Sequence, residues 1–233
     1  MTMESIQATK QRFEIIGNDP KLNRAIEKAI QVAPTDISVL VTGESGVGKE
    51  SIPKIIHSLS HRKHGKYIAV NCGAIPEGTI DSELFGHEAG AFTGATKQHI
   101  GRFERADQGT LFLDELGTMS LRLQEKLLRL IEYGEFERVG GSKTLQVNVR
   151  VIAATNADLG TLVTSGRFRE DLLHRLDLFR VKLPPLRERG DDILVLAEQL
   201  LARVCRRYGQ KPQSIPAEGQ ERLRRYRWPG NVR

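Results

Sequence analysis

Cysteine is scarce in this chain of 233 residues: Cys72 and Cys205 lie far apart, in no paired spacing. That excludes a disulfide framework and a cysteine-based zinc site, and it fits a reducing cytoplasm. Long apolar runs are missing too. None approaches the roughly 20 residues that cross a bilayer, and the polar N-terminus lacks the apolar core of a secretory signal, so no membrane role is expected. There is no internal repeat and no low-complexity tract. The net charge of +6 is spread along the chain, with a local excess towards its C-terminal end. It is compatible with nucleic acid but defines no DNA-binding surface, and no sequence-specific DNA binding is expected within these residues. What remains is 39% hydrophobic and 27% charged, the balance of a globular protein long enough for one sizeable domain plus a small appendage.

One stretch organises the rest. The apolar run Ser38-Val39-Leu40-Val41 reads as a buried strand, and Ile52, Ile55, Ile56 and Leu59 recur at helical spacing. Between them stand Gly43, Glu44, Ser45, Gly46, Val47, Gly48, Lys49 and Glu50. Strand, Gly-x-x-x-x-Gly-Lys and helix in that order form a phosphate-binding loop. Its glycines let backbone N–H groups face an anion, the helix N-terminus adds positive potential, and Lys49 supplies a point charge for the outer phosphates. Glu50 departs from the general motif, standing where a hydroxyl normally meets magnesium.

Four more apolar runs read as strands: 67–71, 110–114, 149–154 and 179–183. Their near-continuous hydrophobicity predicts a parallel five-stranded sheet covered on both faces, an α/β fold with its ligand beyond the carboxyl ends of the strands. Lys49, Asn71, Asp114-Glu115 and Thr155-Asn156 all fall at those ends. The first dozen residues read as a loose polar tail. A helix capped by Asn18 or Asp19, with Pro20 in its first turn, carries Leu22, Ala25, Ile26, Ala29 and Ile30 on one face. Ser120 to Tyr133 reads as a further helix, and 137–142 as a hairpin or loop tip. Beyond Pro184-Pro185 only helices are expected, over 191–206 and 218–225. Pro229-Gly230-Asn231 looks like the turn into another, which would leave the helical subdomain incomplete.

Two carboxylates ending a hydrophobic strand give the second nucleotide signature: Asp114 to hold magnesium, directly or through water, and Glu115 to orient and deprotonate the attacking water. Asn71, Thr155 and Asn156 fit polar sensors of the γ-phosphate, or else ordinary strand-end turn formers. Arg169 and Arg175, six residues apart, do not share a helical face. They fit either guanidinium groups given to a neighbouring subunit's γ-phosphate or exposed ion pairs. The most unusual stretch is 83–95, where Phe92 stands among Gly90, Ala91, Thr93, Gly94 and Ala95. A loop with an aromatic at its tip implies a partner, unless the ring is tucked back into the core.

These motifs together resemble the central AAA+ domain of bacterial enhancer-binding proteins, the activators of sigma-54 RNA polymerase, and most resemble the phage-shock and nitrogen-regulation branches. The resemblance covers about residues 16–233. It rests on Gly-Glu-Ser-Gly-x-Gly-Lys-Glu at 43–50, Glu-Leu-Phe-Gly-His-Glu at 83–88 and the highly specific Gly-Ala-Phe-Thr-Gly-Ala at 90–95. Gly-Thr-Leu-Phe-Leu-Asp-Glu at 109–115, Phe-Arg-Glu-Asp-Leu at 168–172, Leu-Pro-Pro-Leu-Arg-Glu-Arg at 183–189 and Trp-Pro-Gly-Asn-Val-Arg at 228–233 complete it. Glu at position 50 is usual in that family; Val47, where Thr is usual, and Pro53 are departures.

The resemblance implies a P-loop NTPase with strand order 5-1-4-3-2 over 16–187, after a tail at 1–15, and a helical lid over 188–233. It implies a sigma-contacting loop at 87–99 with Phe92 and Thr93 at its tip, and a second pore loop near 131–143. It further implies Mg2+-dependent ATP hydrolysis in a homo-oligomeric ring, a hexamer, that remodels the sigma-54 RNA polymerase closed promoter complex. Lys49 would contact phosphate, Asp114 magnesium and Glu115 the water, with Asn71 as the switch that holds Glu115 back. Thr155 and Asn156 match the first sensor, Arg233 the second, and Arg169 and Arg175 the arginine fingers. Another AAA+ motor and a non-hydrolysing nucleotide-dependent regulator are the rival expectations.

Overall fold

A computed structural model describes residues 3–233. Its frame is a five-stranded, wholly parallel sheet of β1 (Val39–Thr42), β2 (Tyr67–Asn71), β3 (Thr110–Asp114), β6 (Arg150–Thr155) and β7 (Phe179–Lys182). The spatial order β2-β3-β6-β1-β7 is the expected 5-1-4-3-2 read from the other edge. Alternate strand residues enter opposite layers, because successive side chains point to opposite faces. Leu40, Leu111, Leu113, Val151 and Ala153 share a core with α4 (Glu77–Phe85), α5 (Arg102–Arg105), α6 (Leu121–Tyr133), α7 (Leu159–Thr164) and α8 (Glu170–Leu176). Val39, Val41, Phe112, Ile152 and Ala154 meet α2 (Pro20–Val32) and α3 (Ser51–Ser58). With both faces covered, the apolar residues of the central strands are all buried, which explains their unbroken apolar sequences.

Local signals set the helix ends. Asp19 caps α2 by accepting from the N–H groups of Lys21 and Leu22, with Pro20 as first helical residue. The far end of α2 rests on the fully buried Arg150, whose guanidinium donates to the carbonyls of Ala33 (2.8 Å) and Val32 (2.9 Å). A cation there satisfies carbonyls that the helix itself leaves unpaired and matches the negative end of its dipole. Burial pushes the Arg150 guanidinium down to about 10. Gly134, in the left-handed region, ends α6 and opens the hairpin of β4 (Glu135–Glu137) and β5 (Thr144–Gln146), so residues 131–133 belong to the helix.

One expectation is corrected. The N-terminal residues are not a loose tail: Met3–Arg12 forms α1. Ile6 and Lys10, one turn apart, are its only buried residues, and Ile6 joins Leu22 and Ile26 in the core. Two anchors in an otherwise polar stretch give no visible apolar stripe. At the other end, α9 (Asp192–Arg207) and α10 (Ala217–Arg225) form the helical subdomain. Leu186, Ile193 and Leu196 pack there with Leu223, Trp228 and, from the N-terminal side, Ile16. Among the described residues no helix is long and apolar enough to cross a membrane.

Candidate functional site

The loop after β1 curls as its sequence requires, with Gly46 and Gly48 at φ of 82° and 98°. Lys49, almost fully buried, turns its ammonium onto the loop's own carbonyls, donating to Gly43 and Glu44 at 2.9 Å each. Burial pushes this ammonium down, and the carboxylates of Asp114 and Glu50 work against that shift. A buried cation held by two neutral oxygens is poised to exchange them for an anion's.

Across the strand ends, Asn71 and Asp114 are partners in the β2–β3 register. Asp114 is half-buried; desolvation raises its carboxyl above the usual range, and Oδ1 accepts the N–H of Glu115 at 2.8 Å. That bond holds Glu115 at φ 54°, a left-handed conformation that a non-glycine residue adopts at a cost of order 1 kcal/mol. The Glu115 carboxylate receives a long hydrogen bond of 3.5 Å from Asn71 Nδ2, while Asn71 Oδ1 accepts the N–H groups of Gly73 (2.9 Å) and Ala74 (3.2 Å). Gly73, which sequence reasoning passed over, makes the room: a Cβ there would come within 1.8 Å of Glu115 Oε2. Thr155 is buried beside Thr42 in the β1–β6 register and accepts the N–H of Ala157. Thr155 and Asn156 line a cleft of about 540 Å³ together with Gly43, Glu44 and Arg187.

The helical subdomain closes on the loop through contacts that span most of the chain. Arg187 pairs with Glu44 in a two-point ion pair (one arm at 2.8 Å). Buried Arg189 donates to the Val47 carbonyl at 2.9 Å. Buried Asn231 donates to Glu44 Oε2 and to the Ser45 carbonyl and accepts the N–H of Leu186. The N–H of Val232 donates to the Gly46 carbonyl at 3.0 Å. A Cβ on Gly46 would come within 2.3 Å of the Gly230 oxygen and 3.2 Å of the Arg233 Cβ, so Arg233 sits against the loop. On this flank Ile15, Ile16, Leu22, Val47, Ile52 and Leu196 line a second, apolar cleft of about 170 Å³. Its N-terminal wall had no signal in the sequence.

Arg187 and Asn231 together hold the Glu44 carboxyl down to about 2. A carboxyl lowered in the folded state contributes stability that is full above its unfolded value and lost as pH falls through the folded one. Glu44→Gln is therefore expected to lower the melting temperature at pH 7 and to match wild type near pH 2. The gap should close between about pH 4.5 and 2. Both side chains are partly exposed, so solvent screens the pair and the difference at pH 7 is small. Parallel thermal melts across that range check it; a gap independent of pH contradicts it.

Arg169 and Arg175 are not brought to the loop. Arg169 pairs with Asp171 through both arms and Arg175 with Glu132 at 3.1 Å, the exposed ion pairing that the sequence left as one alternative. The 87–99 loop is a built structure. His87 and His99 exchange backbone bonds at its stem, and Glu88 and Gly86 pair with Val139 of the hairpin. Arg138 ties the stem down through Glu88 and Glu104. The Gly90 N–H donates to the Ala95 carbonyl and the Ala95 N–H to the Phe92 carbonyl, closing the tip into a turn. Phe92 is 48% exposed and sets its ring edge against His87, with centroids 4.8 Å apart, so it is not tucked into the core.

Sheet order, phosphate loop and helical subdomain define a P-loop NTPase domain of the AAA+ class with its lid. The chain belongs, more particularly, to the sigma-54-dependent transcriptional activators: residues 15–182 match the sigma-54 interaction domain and 187–233 the AAA+ ATPase lid domain. It is 54% identical over 222 residues to the Psp operon transcriptional activator of Escherichia coli (strain K12), a match covering 94% of this chain and 68% of that protein. It is 52% identical over 219 residues to the Nif-specific regulatory protein of Azotobacter vinelandii, covering 94% of this chain and 42% of that one. The chain thus spans from under half to about two thirds of these relatives. NtrX from Brucella abortus, solved in complex with ATP, superposes with a TM-score of 0.86 at 35% identity over 98% of this chain and 50% of its own.

Proposed function

We propose that this chain is an ATP-hydrolysing ring subunit that uses turnover to move the 87–99 loop against sigma-54 and so remodels the closed promoter complex of its RNA polymerase. One observation carries the reading: Asn71 touches Glu115 at the strand ends and stands just before α4, the helix that runs into the 87–99 loop. A change of contact at Glu115 therefore has a short, packed route to Phe92, because Ile80, Leu84 and Phe85 bury α4 in the core.

ATP fits the two clefts. The apolar one suits a purine, and the loop amides with Lys49 suit the phosphates, in keeping with the ATP complex of NtrX. Magnesium fits as an ion that arrives with the nucleotide. Asp114 offers a hard oxygen donor, and among the described residues no cluster of three or more His, Cys, Asp or Glu would hold an ion alone. When bound it offsets charge on the phosphate oxygens. Glu115 takes the proton from the attacking water, Asn71 withholds or releases it, and Thr155 and Asn156 report the γ-phosphate. Arg233 contacts phosphate from the lid side. Arg169 and Arg175 leave Asp171 and Glu132 to reach the site of the adjacent copy, where a trans arginine contributes about 10³–10⁵ in rate.

Phosphate release measured against protein concentration tests the enzyme reading. Turnover per chain should rise with concentration, as sites are completed by neighbours, and stop with EDTA. ATP binding without turnover at any concentration would favour a regulator that only assembles on nucleotide.

A further inference from the structure

The buried cation at Lys10 has no part in the mechanism above. Lys10 is 3% exposed, and its ammonium donates to three neutral oxygens: the carbonyl of Gly17 (2.8 Å), Oδ1 of Asn18 (3.2 Å) and Oδ1 of Asn23 (2.9 Å). A buried ammonium is costly without a counter-charge, and the carboxylate that acts on it is Asp192, at the N-terminus of α9. Asp192, itself 4% exposed, accepts the backbone N–H groups of Asn18 (2.7 Å) and Asp19 (3.1 Å). Residues 17–19 are thus a bridge with a buried cation on one side and a buried anion on the other. Only glycine fits at 17: φ is 134°, and a Cβ would meet Asp192 Oδ2 at 2.4 Å.

The bridge adjoins the apolar cleft. Ile15 and Ile16, between α1 and Gly17, form one wall, Leu196 of α9 another, and Val47-Gly48 of the phosphate loop the third. Arg189, just ahead of α9, bonds the Val47 carbonyl. The three walls are therefore spaced by Lys10, Asp192 and Arg189.

We infer that Lys10 and Asp192 are a positioning pair that fixes the width of the cleft receiving the nucleotide's base, so that α1 is part of the nucleotide site. This rests on the nucleotide reading above. Neither residue touches the ligand; they act through Ile15, Ile16 and Leu196. Their effect falls on the base and leaves the phosphate contacts of the loop amides and Lys49.

The test is titration of the 233-residue chain with a fluorescent ADP analogue, with inorganic pyrophosphate as competitor. Lys10→Met should weaken the ADP analogue about tenfold and leave pyrophosphate within about twofold. Asp192→Asn should act in the same direction, and the double variant should lose less than the product of the two single effects. Asn23→Ala, which removes one acceptor and keeps the cation, should give a smaller loss of the same kind and serves if Lys10→Met does not fold. Unchanged ADP affinity in these variants, or an equal loss for ADP and pyrophosphate, would overturn the assignment. A folded wild-type chain that binds pyrophosphate but gains nothing from the adenosine would overturn it as well. One that binds neither would remove the nucleotide reading itself.

Discussion

Glu115→Gln is expected to bind ATP about as well as wild type and to hydrolyse it at least about 10²-fold more slowly. The substitution keeps the side chain's length and its oxygen towards Asn71 Nδ2, and it leaves the Asp114 bond to the backbone of residue 115 intact. What it removes is the ability to take a proton. Backbone strain at φ 54° makes the same point from the structure, since such a conformation persists only where its surroundings over-determine it. Single-turnover hydrolysis beside nucleotide titration separates the two effects. Lys49→Ala serves as the contrasting variant, expected to lose binding itself. If Glu115→Gln turns over within a few-fold of wild type, the general base lies elsewhere.

Thr93→Ala should have an equally large effect on a different reaction. Thr93 is exposed at the tip and shares no hydrogen bond with the phosphate loop, and the turn is closed by the backbone of Gly90, Phe92 and Ala95 rather than by its hydroxyl. ATP turnover should therefore stay within about twofold, while nucleotide-dependent capture of sigma-54 falls at least about tenfold. Pull-down and phosphate release on the same preparations check both. A parallel fall in turnover would mean that the tip serves assembly or folding. Retained capture would move the contact off the tip.

The parts of this molecule that were legible in its sequence are those encoded by neighbours in the chain. The phosphate loop, the Asp114-Glu115 strand end and the sheet covered on both faces each follow from a short run whose local chemistry and tertiary role agree. The sheet order came from resemblance, and the structure bears it out. Contacts between distant segments were not legible. Arg187 meets Glu44, Arg189 meets Val47 and Asn231 meets Ser45 across more than 140 residues, and nothing in each segment names its partner. Gly73 reads as one more turn glycine until the Glu115 carboxylate is seen beside it. α1 was hidden because one apolar residue and one lysine hold it, and a lysine is ordinarily read as a solvent-facing residue. For Arg169 and Arg175 the sequence offered two roles. The isolated chain displays the ion pairs, while the trans role needs a second copy.

The central claim is that occupancy of the γ-phosphate position sets the 87–99 loop against sigma-54. Its most direct test is capture of purified sigma-54 by this chain without nucleotide, with ADP, and with ADP plus a γ-phosphate transition-state mimic. Capture confined to the mimic is the predicted result. Capture that is equal in all three states, or absent in all three while ATP is being hydrolysed, would contradict it.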